Sequence, residues 1–342
     1  MSRLLITNAR LIDPSTKYDG PGGVLIEDDK ILDAGAGVRE ASGAEIIDAG
    51  GAALMPGLID MRVVTGEPGA EHKETFKSAG RAAAAGGVTT MIVMPNTDPV
   101  IDDVSLVDFV LRRGAARAQV HTLPAAALTR GLKGEAMTEM GLLQEAGAVM
   151  FSNGDHPITD SRVLRRALSY SSAFGALVVH RPEDPFLAEG GVMHEGALAA
   201  RLGLRGVPAA AETIMAARDI ALAELTGGRL LLDMISSGAT LDAIKRAKAK
   251  GVKVSASVSV HHLTLNENDV GDYRTFAKLS PPLRGEDDRA ALCDALASGV
   301  IDVIVSGHDP QPAEEKRLPF DEAAFGAAAL ETLLPGALMA HY

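Results

Sequence analysis

Side chains able to do chemistry gather in a few short runs: Asp60-Met61-Arg62-Val63-Val64, Phe151-Ser152-Asn153-Gly154-Asp155, His180-Arg181-Pro182-Glu183-Asp184, His261-His262 and Gly307-His308-Asp309-Pro310-Gln311. Imidazoles and carboxylates at strand ends are the donors that hold a divalent metal and let it activate water. That chemistry needs several donors together, and no histidine here belongs to an H-x-H or H-x-x-H pair. A single imidazole, His180, does not hold zinc. Side chains alternate along a strand, so Asp60, Arg62 and Val64 project to one face. A guanidinium therefore stands among acids, with Asp60, Asp155 and Asp233 as candidate counter-ions. Burying it unpaired would cost on the order of several kcal/mol.

The plainer expectation for the remaining histidines is structural. His180 at a strand end is expected as a hydrogen-bonded core residue, and His308 and the His261-His262 pair in supporting roles. His72, His121, His156 and His194 fall in loop or helix-entry contexts.

These runs must be positioned by a scaffold, and the hydrophobic pattern describes one. Residues 1–56 read as a small β module with strands at Leu4–Asp13, Gly23–Glu27, Lys30–Asp33 and Glu45–Asp48. From Gly57 onward, β-rich runs alternate with helical patterns. The predicted strands are Leu58–Val64, Thr89–Met94, Gln119–Leu123, Ala148–Phe151, Ala176–His180, Arg229–Ile235, Lys253–Val260 and Asp302–Ser306. The predicted helices are His72–Ala85, Val104–Ala116, Met137–Ala146, Ser161–Ala173, Ala210–Leu225, Leu241–Lys250, Glu286–Ala297 and Ala323–Leu334. Eight such pairs imply an α/β protein, a (β/α)₈ TIM barrel over residues 57–342, whose active centre lies at the C-terminal ends of the strands. A doubly wound open sheet is the rival, but no G-x-G-x-x-G follows the first strand.

Composition narrows the function. With 342 residues, 46% of them hydrophobic, the chain can bury a large core without staples. A net charge of −12 and no Lys/Arg block argue against nucleic acid and anionic membranes as partners. The absence of Trp and only 4% aromatics leave few stacking platforms. One cysteine, Cys293, excludes an internal disulfide framework. No apolar run approaches the roughly 18 residues of a membrane span, and no signal peptide opens the chain, so a cytoplasmic address is expected.

The ordered motifs resemble the dihydroorotase branch of the amidohydrolase superfamily, of the long bacterial type related to allantoinases and hydantoinases. They are Pro56-Gly57-Leu58-Ile59-Asp60, Glu67-Pro68-Gly69, Gly86-Gly87-Val88-Thr89-Thr90, Met94-Pro95-Asn96-Thr97, Gly131-Leu132-Lys133-Gly134-Glu135, His261-His262-Leu263-Thr264-Leu265, Pro281-Pro282-Leu283-Arg284 and Glu314-Glu315-Lys316. The resemblance implies a barrel with one or two zinc ions that activate a hydroxide to open a cyclic amide. It also implies where the donors should be. The first-strand histidines are replaced by Arg62 and Val64, and the fourth-strand Asp by Asn153. His180 is kept at strand five. Met234 ends strand six, where an imidazole belongs, and Gly307 takes the place of the catalytic Asp after strand eight. Of the substrate contacts, Asn96 remains, while Gly66, Ser280 and Gln311 replace an Arg, an Asn and a His.

The expectation is therefore a pseudo-dihydroorotase with no catalytic residue and no cofactor. Family members of that kind are non-catalytic partners of aspartate carbamoyltransferase, and a homo-oligomer is expected as well. Two alternatives remain open. One is an active cyclic-amide hydrolase whose metal sits on His180, Asp155 and His308; the other is a protein that binds a small anion through Arg62 and Asn96.

Overall fold

The computed structural model describes residues 2–38 and 42–340, and the chain divides into two units, Met1–Leu58 and Ile59–Tyr342. His341 lies outside the described residues.

The first unit is one mixed sheet of β1 (Arg3–Asp13), β2 (Tyr18–Glu27), β3 (Lys30–Gly35), β4 (Glu45–Asp48) and β5 (Ala53–Leu54). β2 runs antiparallel to β1 and to β3, whereas β4 and β5 lie parallel beside β1. The tight β2–β3 turn falls on Asp28, which takes the left-handed conformation that Asp tolerates better than most residues.

The second unit is the expected barrel. Among the described residues, its strands are β6 (Leu58–Val63), β7 (Val88–Val93), β8 (His121–Ala127), β9 (Met150–Ser152), β10 (Leu177–His180), β13 (Arg229–Leu232), β14 (Val254–Ser259) and β15 (Val303–Val305); β11 (Met193–His194) and β12 (Gly206–Val207) form a separate pair in a loop. The barrel strands follow one another in chain order from β6 to β15. The seam between first and last closes where the Val64 amide donates to the His308 carbonyl at 2.8 Å.

Alternation along each strand explains the packing. Val93, Phe151, Val178 and Leu232 face outward into the shell of helices, while Met94, Met150, Val179 and Leu231 fill the barrel interior. The shell is made by α1 (Phe76–Ala85), α2 (Val104–Arg117), α3 (Met140–Glu145), α4 (Ser161–Ser172), α7 (Ala209–Thr226), α8 (Gly238–Ala249) and α10 (Glu286–Ala297). Short helices α5 (Pro185–Ala188), α6 (Ala197–Leu202), α9 (Val260–Thr264) and α11 (Ala313–Lys316) lie between them, and α12 (Leu333–Met339) ends the described chain.

Three predicted helices are several residues shorter than expected, and α3 keeps only Met140–Glu145 of the Met137–Ala146 stretch. α1 starts at Phe76 rather than His72, because Thr75 and Ser78 form a reciprocal capping box there. The alanine-rich stretch Ala323–Leu334 is not one helix; only a 3₁₀ turn at Leu330–Thr332 and α12 are helical. Tertiary bonds override its propensity: the Asp309 amide takes the Ala327 carbonyl, and the Ala329 and Leu330 amides donate to His308 Nδ1.

Candidate functional site

At the C-terminal ends of the strands lies a cavity of about 180 Å³ whose wall includes Arg62, Asp155, Arg181, His261, Asp309 and Phe325. Its centre is ionic. Arg62, on β6 and only 3% exposed, donates from Nε to Asp233 at 2.7 Å and from Nη2 to Asp155 at 2.5 Å. Asp233 follows β13, is equally buried, and takes a further bond from Ser257 Oγ at 2.9 Å. Asp155, three residues past the end of β9, is shared with Arg181, which donates to it at 2.7 Å. Arg181 also donates to Glu183 at 2.9 Å and to Ser280 at 2.5 Å. One network thus ties together the ends of β6, β9, β10 and β13 and the loop after β14.

The charges follow from this arrangement. Burial works against ionisation of Asp155, but Arg62 and Arg181 outweigh it and hold the carboxyl at about 2. Arg62 stays protonated for the same reason, with Asp155 and Asp233 overcoming its burial. Asp309 is different: burial and the neighbouring Asp155 push it up to about 6 against the opposing pull of Arg62, Lys73 and His308. Asp60 is fully buried, accepts amide bonds from Arg62 and Ser306, and is shifted upward by burial. Its side chain does not pair with the guanidinium, so two of the three candidate counter-ions of Arg62 are engaged.

The surviving imidazoles are committed elsewhere. His180 Nε2 accepts the Ile158 amide at 2.8 Å, which makes Nδ1 the protonated nitrogen, donating to Asp219 at 2.6 Å. His308 Nδ1 accepts the amides of Ala329 and Leu330, so Nε2 donates to Glu74 at 2.5 Å. His262 bonds Ser259 and the Pro282 carbonyl and is lowered to about 3, mainly by burial. His261 faces the cavity with Nε2 buried and unpartnered, lowered by burial to about 4.

The other expected positions are also accounted for. Val64 packs in the barrel interior against the cluster of Met94, Met150 and Leu231. The Asn153 amide is occupied by Thr129 and the Leu132 carbonyl. Met234 and Gly307 both have positive φ and line the cavity; a Cβ at Gly307 would sit 3.2 Å from Ser259 Cβ. Gly66 has no room for a side chain, since a Cβ would lie 1.9 Å from the Ala70 carbonyl oxygen. Gln311 bonds Asp309 and Lys73, Ser280 accepts from Arg181, and Asn96 Oδ1 is buried without a partner. Arg181, Glu183 and Asp309 join the site without having been singled out. Arg181 reaches Asp155 and Ser280 from far off in sequence, whereas Glu183 and Asp309 bond residues only two positions away, Arg181 and Gln311; the position of Arg181 beside His180 at a strand end was the one signal for it.

The chain matches the family model described as Dihydro-orotase-like over residues 51–239. It is 46% identical over 330 residues to a dihydroorotase of Pelotomaculum thermopropionicum, covering 96% of this chain and 77% of that one. It is 43% identical over 331 residues to a dihydroorotase of Geobacter metallireducens, covering 97% and 78%. Among solved structures it resembles the L-hydantoinase of Arthrobacter aurescens with a TM-score of 0.87 at 24% identity, over 99% of this chain and 77% of that one; this is a likeness of fold. These relatives correct the expectation that no cofactor goes with the protein: zinc, implied by the resemblance for that family, is the cofactor to which they point.

The residues present do not fit that ion. Among the described residues no group of three or more His, Cys, Asp or Glu side chains is placed to hold a metal. The guanidinium of Arg62 bonds the carboxylates Asp155 and Asp233, and the ring nitrogens of His180 and His308 are all hydrogen-bonded. On fold, family model and near full-length identity, the chain belongs to the dihydroorotase-like family of amidohydrolases.

Proposed function

We propose that this chain is a catalytically silent member of its family, retained as a structural partner of aspartate carbamoyltransferase in the pyrimidine pathway, as a homo-oligomer in the cytoplasm. The observation that carries the reading is the double ion pair of Arg62 with Asp155 and Asp233 at the strand ends. A guanidinium is a fixed monocation with hydrogen-bond donors only, so it neither polarises a carbonyl as a Lewis acid nor lowers the pKa of water. It does supply the charge that keeps the surrounding carboxylates in place. Shape and surface persist without turnover.

The second reading is an active cyclic-amide hydrolase, an activity in keeping with the name dihydroorotase that the relatives carry, with its metal on His180, Asp155 and His308. That set requires His180 to release Ile158 and His308 to release Glu74 or the Ala329 and Leu330 amides. A small-anion pocket on Arg62 and Asn96 is less favoured, because two of the Arg62 nitrogens already serve carboxylates.

Two assays on purified protein separate these readings. Ring opening of dihydroorotate, with zinc supplied, is expected to remain at the buffer rate, and co-sedimentation with an aspartate carbamoyltransferase is expected to give a defined complex. Zinc-dependent turnover would establish the second reading. No turnover together with no complex would leave the first without its partner.

A further inference from the structure

Two lysines beside the cavity are buried in a way the ionic network does not explain. Lys278 and Lys316 are 2% and 4% exposed, and among the described residues neither ammonium makes an ion pair. Lys316 Nζ donates instead to three backbone carbonyls, those of Ala324 at 2.8 Å, Thr275 at 3.1 Å and Lys278 at 3.5 Å. Lys278 Nζ donates to the Asp321 carbonyl at 3.0 Å and lies over the rings of Phe325 at 4.5 Å and Phe320 at 5.7 Å. The two segments are stitched further by the Gly326 amide on the Lys278 carbonyl and by Thr275 Oγ1 on the Lys316 carbonyl.

A buried charge is tolerated only where donors and acceptors replace its hydration, and converging carbonyl oxygens are how proteins hold small monovalent cations. We propose that residues 275–278 and 324 form a carbonyl-lined site for a small ammonium-type cation, filled in this chain by the Lys316 side chain. The filled site pins segment 313–326 against segment 275–280. Both segments supply wall to the mouth cavity, through Phe325 and Gly326 on one side and Leu279 and Ser280 on the other. Lys316 is thus a positioning residue for that wall. The charged groups facing it are Asp309, which favours its charge, and Lys278, which opposes it.

The test is Lys316→Ala in the full chain. Trypsin cleavage at Arg317 is expected to rise roughly tenfold as the segment opens locally. Ammonium or methylammonium chloride is expected to restore protection, whereas tetramethylammonium chloride at equal ionic strength does not, because it is larger and has no N–H to donate. Unchanged cleavage in the variant, or equal action of all three salts, would overturn the site. Should the variant fail to fold, the wild type decides. Acetylation of Lys316 by acetic anhydride is then expected to be at least about tenfold slower than that of exposed Lys77, and equal rates would overturn the proposal.

Discussion

The wall of the barrel and its mouth are both buried, yet they are held by opposite means. In the wall, strands and helices meet through side chains such as Leu164, Leu168, Val178 and Leu232, none of which exposes any surface. Each of them contributes through area removed from water and close packing, whatever the identity of its neighbours. At the mouth, Arg62, Arg181 and Asp233 are almost as buried, but every one depends on a particular partner. The difference shows where the fold is tolerant and where it is exacting. The wall tolerates any apolar set of the right volume, whereas the mouth must balance charge, and here a guanidinium does so.

Removal of that guanidinium should do the most damage. Arg62→Ala leaves Asp233 buried without its cation, and we expect a loss of about 3–5 kcal/mol in urea denaturation. A wall truncation, Leu164→Ala, should cost about 3 kcal/mol through the cavity it leaves, with less dependence on pH. The sharper contrast is a double variant. Arg62→Met with Asp233→Leu removes both charges, and its loss should be about 2 kcal/mol smaller than that of Arg62→Ala, since the penalty lies in the unpaired partner. Equal losses for the single and double variants would mean that the ion pair holds nothing in place.

Acid and base titration probe the same contrast, with signs that differ by residue. Asp155 is depressed to about 2, so its stabilisation is present above its unfolded value near 4 and is lost as pH falls toward 2. Asp309 is raised to about 6, so its contribution is full below about 4 and disappears as pH rises through 6. Lys316 is lowered to about 8 by burial, so between 8 and about 10.4 the unfolded chain binds more protons and stability rises with pH. Denaturation midpoints across pH for the wild type, Asp155→Asn and Asp309→Asn separate the two acids.

Much of the barrel was legible in the sequence because its signals are local. The polar Asp60 and Arg62 among apolar neighbours in Leu58–Val63, the apolar run in Arg229–Leu232 and the helical period of Ser161–Ser172 are each visible within a few residues. The small elements of the mouth loops, β11, β12, α5, α6 and α9, were not legible, being too short to show a period. The alanines after Ala323 misled, because their preference for helix is weaker than the backbone bonds offered by His308 and Asp309. At the site, Arg62 stood out as a cation among acids, and the structure pairs it with Asp155 and Asp233. The sharing of Asp155 between Arg62 and Arg181 could not be read, since it joins residues from three strand ends. Nor could the bond from Ile158 that occupies His180.

The proposed loss of turnover rests on Arg62 supplying the cation at the barrel mouth. A crystal structure of protein grown with zinc, with anomalous scattering recorded at the zinc edge, tests it most directly. Guanidinium density bridging Asp155 and Asp233 is the expected result. Arg62 turned to solvent, with an anomalous peak bonded to Asp155, Asp233 or the freed ring of His180, would contradict it.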